Sequence, residues 1–177
     1  LFDNEIYFMA GNHDHNLWER SRNSYYVDYM KSLKPSEAIL DELHSTNLFT
    51  PERIPVTFLN AIIQRYPHLK NVNVTAAYPA HAFLSSDKNK CVVVCHGHYV
   101  ESMYSLMSSL RNHIFPDRAL PQNLDELESE NYAWVDFFWS TLGRSGDVGR
   151  DINLIYDKLQ DPEEVKKLIK NIAESFT

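Results

Sequence analysis

The spacing of hydrophobic and polar residues predicts a strand and three helices in the first third of the chain. Residues 5–10 are rich in apolar and aromatic side chains and stop at a Gly-Asn turn, which is typical of a strand. Residues 16–33 carry apolar side chains at three- and four-residue steps, which predicts a helix. Prolines in a first helical turn predict two further helices, over residues 35–43 and 50–66.

The middle of the chain is predicted to form three short strands. Residues 72–75 alternate, residues 82–84 are a short apolar run, and Cys91–Cys95 is an uninterrupted apolar run that follows a polar turn. An uninterrupted apolar strand is typical of a sheet interior, so we expect this strand and its two cysteines to be buried. Four strand positions span about 13 Å, which is too far for a disulfide. Free thiols favour a reducing compartment, and we therefore predict a cytoplasmic protein.

From residue 99 onwards the hydrophobic spacing is helical. The predicted helices cover residues 99–113, 123–142, 148–160 and 162–175. The whole pattern predicts an α/β fold that is helix-rich overall. Its core would lie in residues 1–98, and residues 99–177 would form a separate helical unit.

Composition and charge narrow the possible partners. The net charge is −7, and residues 122–177 hold half of the acidic side chains but about a third of the basic ones. An acidic chain is a poor match for a general nucleic-acid binder, which presents a basic face. No apolar run approaches the roughly 20 residues needed to cross a bilayer, so no membrane partner is expected. The pattern indicates no particular oligomeric state.

Two polar segments follow predicted strands directly: Gly-Asn-His-Asp at residues 11–14, the first motif loop, and His-Gly-His at residues 96–98, the second motif loop. The carboxyl ends of strands are where α/β folds build their sites. An asparagine oxygen and imidazole nitrogens, together with carboxylates, suit Mn, Fe or Zn. A carboxylate at Asp14 would hold the His13 imidazole in one orientation and keep it protonated, as a general acid beside a phosphate requires.

These two loops resemble motifs of the calcineurin-like metallophosphoesterase family. The signature of that family contains, in order, Asp-x-His, Gly-Asp-x-x-Asp, Gly-Asn-His-Asp or Gly-Asn-His-Glu, a histidine often inside His-Gly-His, and Gly-His-x-His. Residues 11–14 match the third motif and residues 96–98 the fourth, in the family's order and each after a strand. The resemblance implies part of an αββα sandwich that carries a large helical insertion.

The resemblance implies a role for each matched residue. Asn12 and His96 would be ligands of the second of two divalent metal ions, which are Mn, Fe or Zn. His13 would lie over the scissile phosphate and stabilise it or protonate the leaving oxygen, while Asp14 would orient His13. The implied reaction is phosphoester hydrolysis, in which a hydroxide that bridges the two metals attacks phosphorus.

Three further residues have open roles. His98 has two possible roles. It could contact the metal ligands or the substrate, or it could be a surface imidazole without a role in the site. His15 could assist the same site. Arg144 lies in a glycine-containing loop over residues 143–150, where backbone amides and arginines could bind a phosphate. Glycines between two helices also commonly end one helix and start the next, so a purely structural role for the loop stays open.

The other three motifs of the signature are absent from the 177 residues. They carry the bridging aspartate and the ligands of the first metal. Together with the abrupt start at Leu1, their absence leads us to expect a piece of a longer enzyme. This chain alone would have little or no activity and hold at most one weakly bound metal ion.

The full-length protein is expected to be a metal-dependent phosphatase or phosphodiesterase, with the helical unit capping the pocket and shaping substrate choice. A nuclease stays open, because segments outside the chain could be basic. The alternative is a non-catalytic helical interaction module on a degenerate phosphoesterase scaffold.

Overall fold

The computed structural model describes residues 4–39, 41–101 and 103–175. Its strands are β1 (Glu5–Phe8), β2 (Ile54–Pro55), β3 (Asn73–Ala76), β4 (Ala80–Leu84) and β5 (Cys91–Cys95). Its α-helices are α1 (His15–Ser32), α2 (Thr57–Ile63), α3 (Leu106–Ile114), α4 (Leu124–Trp134), α5 (Gly146–Arg150), α6 (Ile152–Gln160) and α7 (Pro162–Ser175). Helices make up 52% of the structure and strands 12%, which confirms the prediction of a helix-rich, mixed α/β chain.

The first sheet places the first motif loop at the carboxyl end of a strand. Its strand order is β1-β3-β2, with β1 parallel and β2 antiparallel to β3. Trp18 of α1 stacks on Tyr78, with 4.9 Å between the ring centroids, and both side chains lie in the core beside the sheet. Because β1 ends at Phe8 and α1 begins at His15, the loop of residues 11–14 is held between a strand and a helix that share this core.

The second sheet is an antiparallel hairpin of β4 and β5 that leads into the second motif loop. Cys95 is opposite Ala80 in its register. The prediction that β5 is buried is wrong: Val92 is 60% exposed, and Cys91 and Cys95 are exposed and free. The reason is that β5 pairs only with β4 and that neither of its faces is covered by the described residues.

The predicted helix over residues 35–43 is absent from the described residues of that segment, and Leu40 lies outside them. Residues 34–37 form a turn instead, in which Glu37 N donates to the Lys34 carbonyl (3.0 Å) and the Glu37 carboxylate accepts from Lys34 N (2.8 Å). Further on, the Leu43 carbonyl accepts from the buried Arg22 guanidinium of α1 (3.2 Å). This long-range hydrogen bond ties the end of the segment to α1.

The helix predicted over residues 50–66 begins later, at Thr57, and ends at Ile63. Ile54 and Pro55 pair with β3 instead. A residue that precedes proline avoids helical backbone angles, so Pro55 favours an extended Ile54. That conformation buries the Ile54 side chain completely in the core, which the helical spacing alone did not reveal.

The helical half is held by buried polar and aromatic contacts. Asn131 of α4 accepts hydrogen bonds from the backbone N–H groups of Met107 and Ser108 at the start of α3. A π-helical segment (Val135–Thr141) continues α4, and its Phe138 and Trp139 pack with Ile152 of α6 in a second core. Among the described residues, no helix is both long and apolar enough to cross a lipid bilayer.

Candidate functional site

The two motif loops are in direct contact at Gly11. A Cβ atom on Gly11 would lie 2.5 Å from Nε2 of His96, which is closer than a real Cβ approaches any atom. The His96 ring therefore lies against the backbone of Gly11, and only glycine leaves room for it. This contact places the His96 ring against the residue that precedes Asn12, although the two loops are far apart in sequence.

Within the first motif loop, Asn12 points inward and His13 points outward. Asn12 is 9% exposed, and its backbone carbonyl accepts a hydrogen bond from Ser140 Oγ (3.1 Å). His13 is exposed, and its ring meets Trp139 edge-on, with 5.2 Å between the centroids. The predicted metal ligand and the predicted catalytic histidine thus face different surroundings.

Asp14 closes the first motif loop. Its Oδ1 accepts a hydrogen bond from Gly11 N (2.7 Å), and it is the residue that precedes α1. This bond fixes the turn that presents Asn12 and His13. The predicted role of Asp14 in orienting His13 stays a prediction.

His98 of the second motif loop is buried, and its ring lies 5.6 Å from the His96 ring, measured between centroids. Gly97 has φ +97°, a left-handed conformation that other residues rarely adopt, and it separates the two histidines. The Tyr78 hydroxyl lies within hydrogen-bond distance of His98 Nε2 (3.2 Å). Burial, and secondarily the positive charges of His96 and His15, lower the pKa of His98 to about 4, so the imidazole is neutral at neutral pH.

His15 is fully buried at the start of α1. Its Nδ1 lies 3.6 Å from a carboxylate oxygen of Asp136, and its ring meets Tyr78 edge-on. Burial lowers the pKa of His15 to about 4, and the opposing effect of Asp136 is too weak to reverse this. His15 is therefore a neutral core residue at neutral pH, directly after the first motif loop.

Arg144, the predicted phosphate contact, lies in a short 3₁₀ turn after the π-helical segment. Its Nε donates to the backbone carbonyl of Ser140. The structure thus gives Arg144 a contact within its own helical region, and its predicted contact with a phosphate stays a prediction.

Sequence reasoning missed a buried carboxylate, Glu128 of α4. Its side chain is completely buried, and the hydroxyls of Tyr104 and Tyr78 are its polar neighbours. Burial raises the pKa of Glu128 to about 7, against the smaller opposing effect of the Tyr104 and Tyr78 hydroxyls. A signal was present, because Glu128 interrupts the apolar stripe formed by Leu124 and Leu127 of α4 and by Val135, which follows α4.

The candidate metal ligands in the two loops are the amide oxygen of Asn12 and an imidazole nitrogen of His96, and the contact between the loops is that of the His96 ring with Gly11. Such a mixed oxygen and nitrogen set fits Mn, Fe or Zn. In the part of the chain that the structure describes, no three His, Cys, Asp or Glu side chains lie close enough to hold a metal ion. Further ligands would come from elsewhere.

No protein-family model matches the chain, and comparisons with curated proteins and with solved structures give no match either. The function has to be inferred from the residues and their geometry.

Proposed function

We propose that the full-length protein is a metal-dependent phosphoester hydrolase and that these 177 residues supply one side of its metal site. The observation that carries the proposal is the contact between Gly11 and the His96 ring. It joins two loops that each follow a strand and that each match a motif of the calcineurin-like metallophosphoesterases.

Asn12 and His96 are the metal ligands in this proposal. Bound divalent metals would lower the pKa of a water molecule and neutralise phosphate charge. The remaining ligands, and the strands that would complete an αββα sandwich around the two small sheets, would lie outside the 177 residues. The chain itself contributes the two proposed ligands, Asn12 and His96. It also contributes the turn of residues 11–14, which is closed by the hydrogen bond from Gly11 N to Asp14.

His13 is the proposed group that acts on the substrate. His13 follows the proposed ligand Asn12 in the chain, and its imidazole is exposed. The ring of Trp139 packs against one side of the imidazole. An imidazolium at that position can stabilise a phosphate oxygen or donate a proton to the leaving oxygen. Trp139 belongs to the helical unit, so that unit borders the His13 side chain. This contact supports a role for the helical unit in the choice of phosphoester substrate.

The proposal predicts a large loss of activity for His13→Ala. Purified full-length protein is incubated with Mn²⁺ and either p-nitrophenyl phosphate or bis(p-nitrophenyl) phosphate, and nitrophenolate release is followed. We expect Mn²⁺-dependent hydrolysis by the wild type and a fall in kcat of about 100-fold for His13→Ala, the usual contribution of a general acid. His113→Ala is the control, because that histidine is exposed on α3 and its Nδ1 lies within hydrogen-bond distance of the Ser109 carbonyl of the same helix (2.8 Å).

Equal rates for His13→Ala and the wild type would contradict the proposed role of His13. An absence of Mn²⁺-dependent hydrolysis in the wild type would contradict the hydrolase itself. The non-catalytic helical interaction module would then be the better account of the chain.

A further inference from the structure

The π-helical segment Val135–Thr141 is in direct contact with the first motif loop. Ser140 Oγ donates to the Asn12 carbonyl (3.1 Å), and the Trp139 ring lies edge-on to the His13 ring (5.2 Å between centroids). Two consecutive residues of the segment thus contact two consecutive residues of the loop. Segments of π-helix are short and are frequent at functional sites.

The hydrogen bond from Ser140 is isolated from solvent. Ser140 is completely buried and Asn12 nearly so. A buried backbone carbonyl requires a donor, and here the Ser140 hydroxyl supplies one. The Asn12 carbonyl belongs to the peptide unit that joins Asn12 to His13, so this bond sets the orientation of both residues at once.

Trp139 is itself held rigidly. Its ring meets Phe138 edge-on (5.1 Å between centroids) and packs against Tyr156 of α6 (4.7 Å). An indole fixed by two aromatic neighbours offers the otherwise exposed His13 ring a single preferred edge-to-face position. Asp136 lies one turn earlier on the same segment. One of its carboxylate oxygens is 3.6 Å from Nδ1 of His15, the residue that follows the first motif loop.

We infer that Ser140 and Trp139 are positioning residues: Ser140 orients Asn12 toward the metal, and Trp139 orients His13 toward the substrate. The inference rests on the proposed hydrolase function. It changes the expected role of the helical unit, which becomes a structural part of the site in addition to a cap that shapes substrate choice.

The test combines a metal-free readout with an activity readout. Histidine and asparagine signals of the full-length protein are followed by NMR without metal, and Mn²⁺-dependent kinetics are measured on the same protein. The variants are Ser140→Ala, Trp139→Leu and the conservative Trp139→Phe. Ser21→Ala is the matched control, because Ser21 is equally buried and its hydroxyl also donates to a backbone carbonyl, that of Leu17 (2.7 Å).

For Ser140→Ala we expect shifted Asn12 and His13 amide signals and at least a tenfold higher Mn²⁺ requirement, the usual effect of removing a group that orients a ligand. Ser21→Ala should change neither. For Trp139→Leu we expect the His13 imidazole signals to move toward those of an unstructured histidine and kcat to fall about tenfold, with KM little changed. Trp139→Phe should restore most of both.

Unshifted Asn12 and His13 signals in both Ser140→Ala and Trp139→Leu would overturn the inference. The inference also fails if the Ser21→Ala control moves those signals or the Mn²⁺ requirement as much as Ser140→Ala does. If the wild-type protein shows no Mn²⁺-dependent hydrolysis, the proposed function fails, while the metal-free NMR signals still decide whether Ser140 and Trp139 position the loop.

Discussion

Gly11→Ala in the full-length protein is expected to raise the Mn²⁺ concentration for half-maximal hydrolysis by at least about tenfold. The new methyl group would lie 2.5 Å from Nε2 of His96, which is inside van der Waals contact. The atoms that it meets belong to a side chain that can rotate, so the ring moves away and the backbone stays. The His96 ring then moves away from the first motif loop. The two proposed metal ligands, Asn12 and His96, are separated without unfolding of the protein.

Gly143→Ala is the matched control for this substitution. A Cβ atom on Gly143 would find no heavy atom closer than 3.8 Å, so the change adds a methyl group without a clash. We expect wild-type Mn²⁺ dependence for Gly143→Ala and a thermal midpoint within about 2 °C of the wild type for both variants. A Gly11→Ala protein with an unchanged Mn²⁺ requirement would show that His96 is not held at the site.

Glu128→Gln is expected to stabilise the protein at alkaline pH by about 3 kcal/mol, the free-energy equivalent of moving a pKa from 4.5 to about 7. The folded protein keeps the Glu128 proton at pH values where the unfolded chain has already lost it. The native state therefore loses stability as the pH rises from about 4.5 to about 7. A neutral amide of the same shape removes this loss.

The measurement is the free energy of unfolding in urea, for the wild type and Glu128→Gln, at pH 5 and pH 8. The advantage of the variant should be about 3 kcal/mol at pH 8 and under about 1 kcal/mol at pH 5. His15 and His98, whose pKa values are lowered, act in the opposite direction and destabilise the fold on acidification through about pH 6.5 to 4. Their effect is common to both proteins and cancels in the difference. An advantage of equal size at both pH values would contradict a buried, protonated Glu128.

The elements that the sequence predicts well are those whose own pattern determines them. β1, α1 and the β4–β5 hairpin follow from local apolar segments and the turn residues between them, and the structure has each of them close to the predicted position. The wrong predictions concern segments whose conformation or burial depends on residues that are distant in the sequence. The end of the segment over residues 35–43 is bound by Arg22 of α1 through the Leu43 carbonyl, and β5 is exposed because the described residues offer it one partner strand.

The candidate site divides in the same way. The residues of the two motif loops were visible in the sequence because the motifs are contiguous. Ser140 was not, since one serine within an aromatic helical run gives no sign that its hydroxyl reaches a loop at the other end of the chain. Glu128 is an intermediate case. Its position among apolar residues at helical spacing predicts that it is buried, but the sequence does not reveal that Tyr104 and Tyr78 are its neighbours.

The most direct test of the metal site is the anomalous diffraction of crystals of the full-length protein grown with Mn²⁺. The proposed site predicts a manganese peak within bonding distance of both the Asn12 amide oxygen and an imidazole nitrogen of His96. Manganese bound elsewhere, or no peak while both side chains are ordered and unligated, would contradict it.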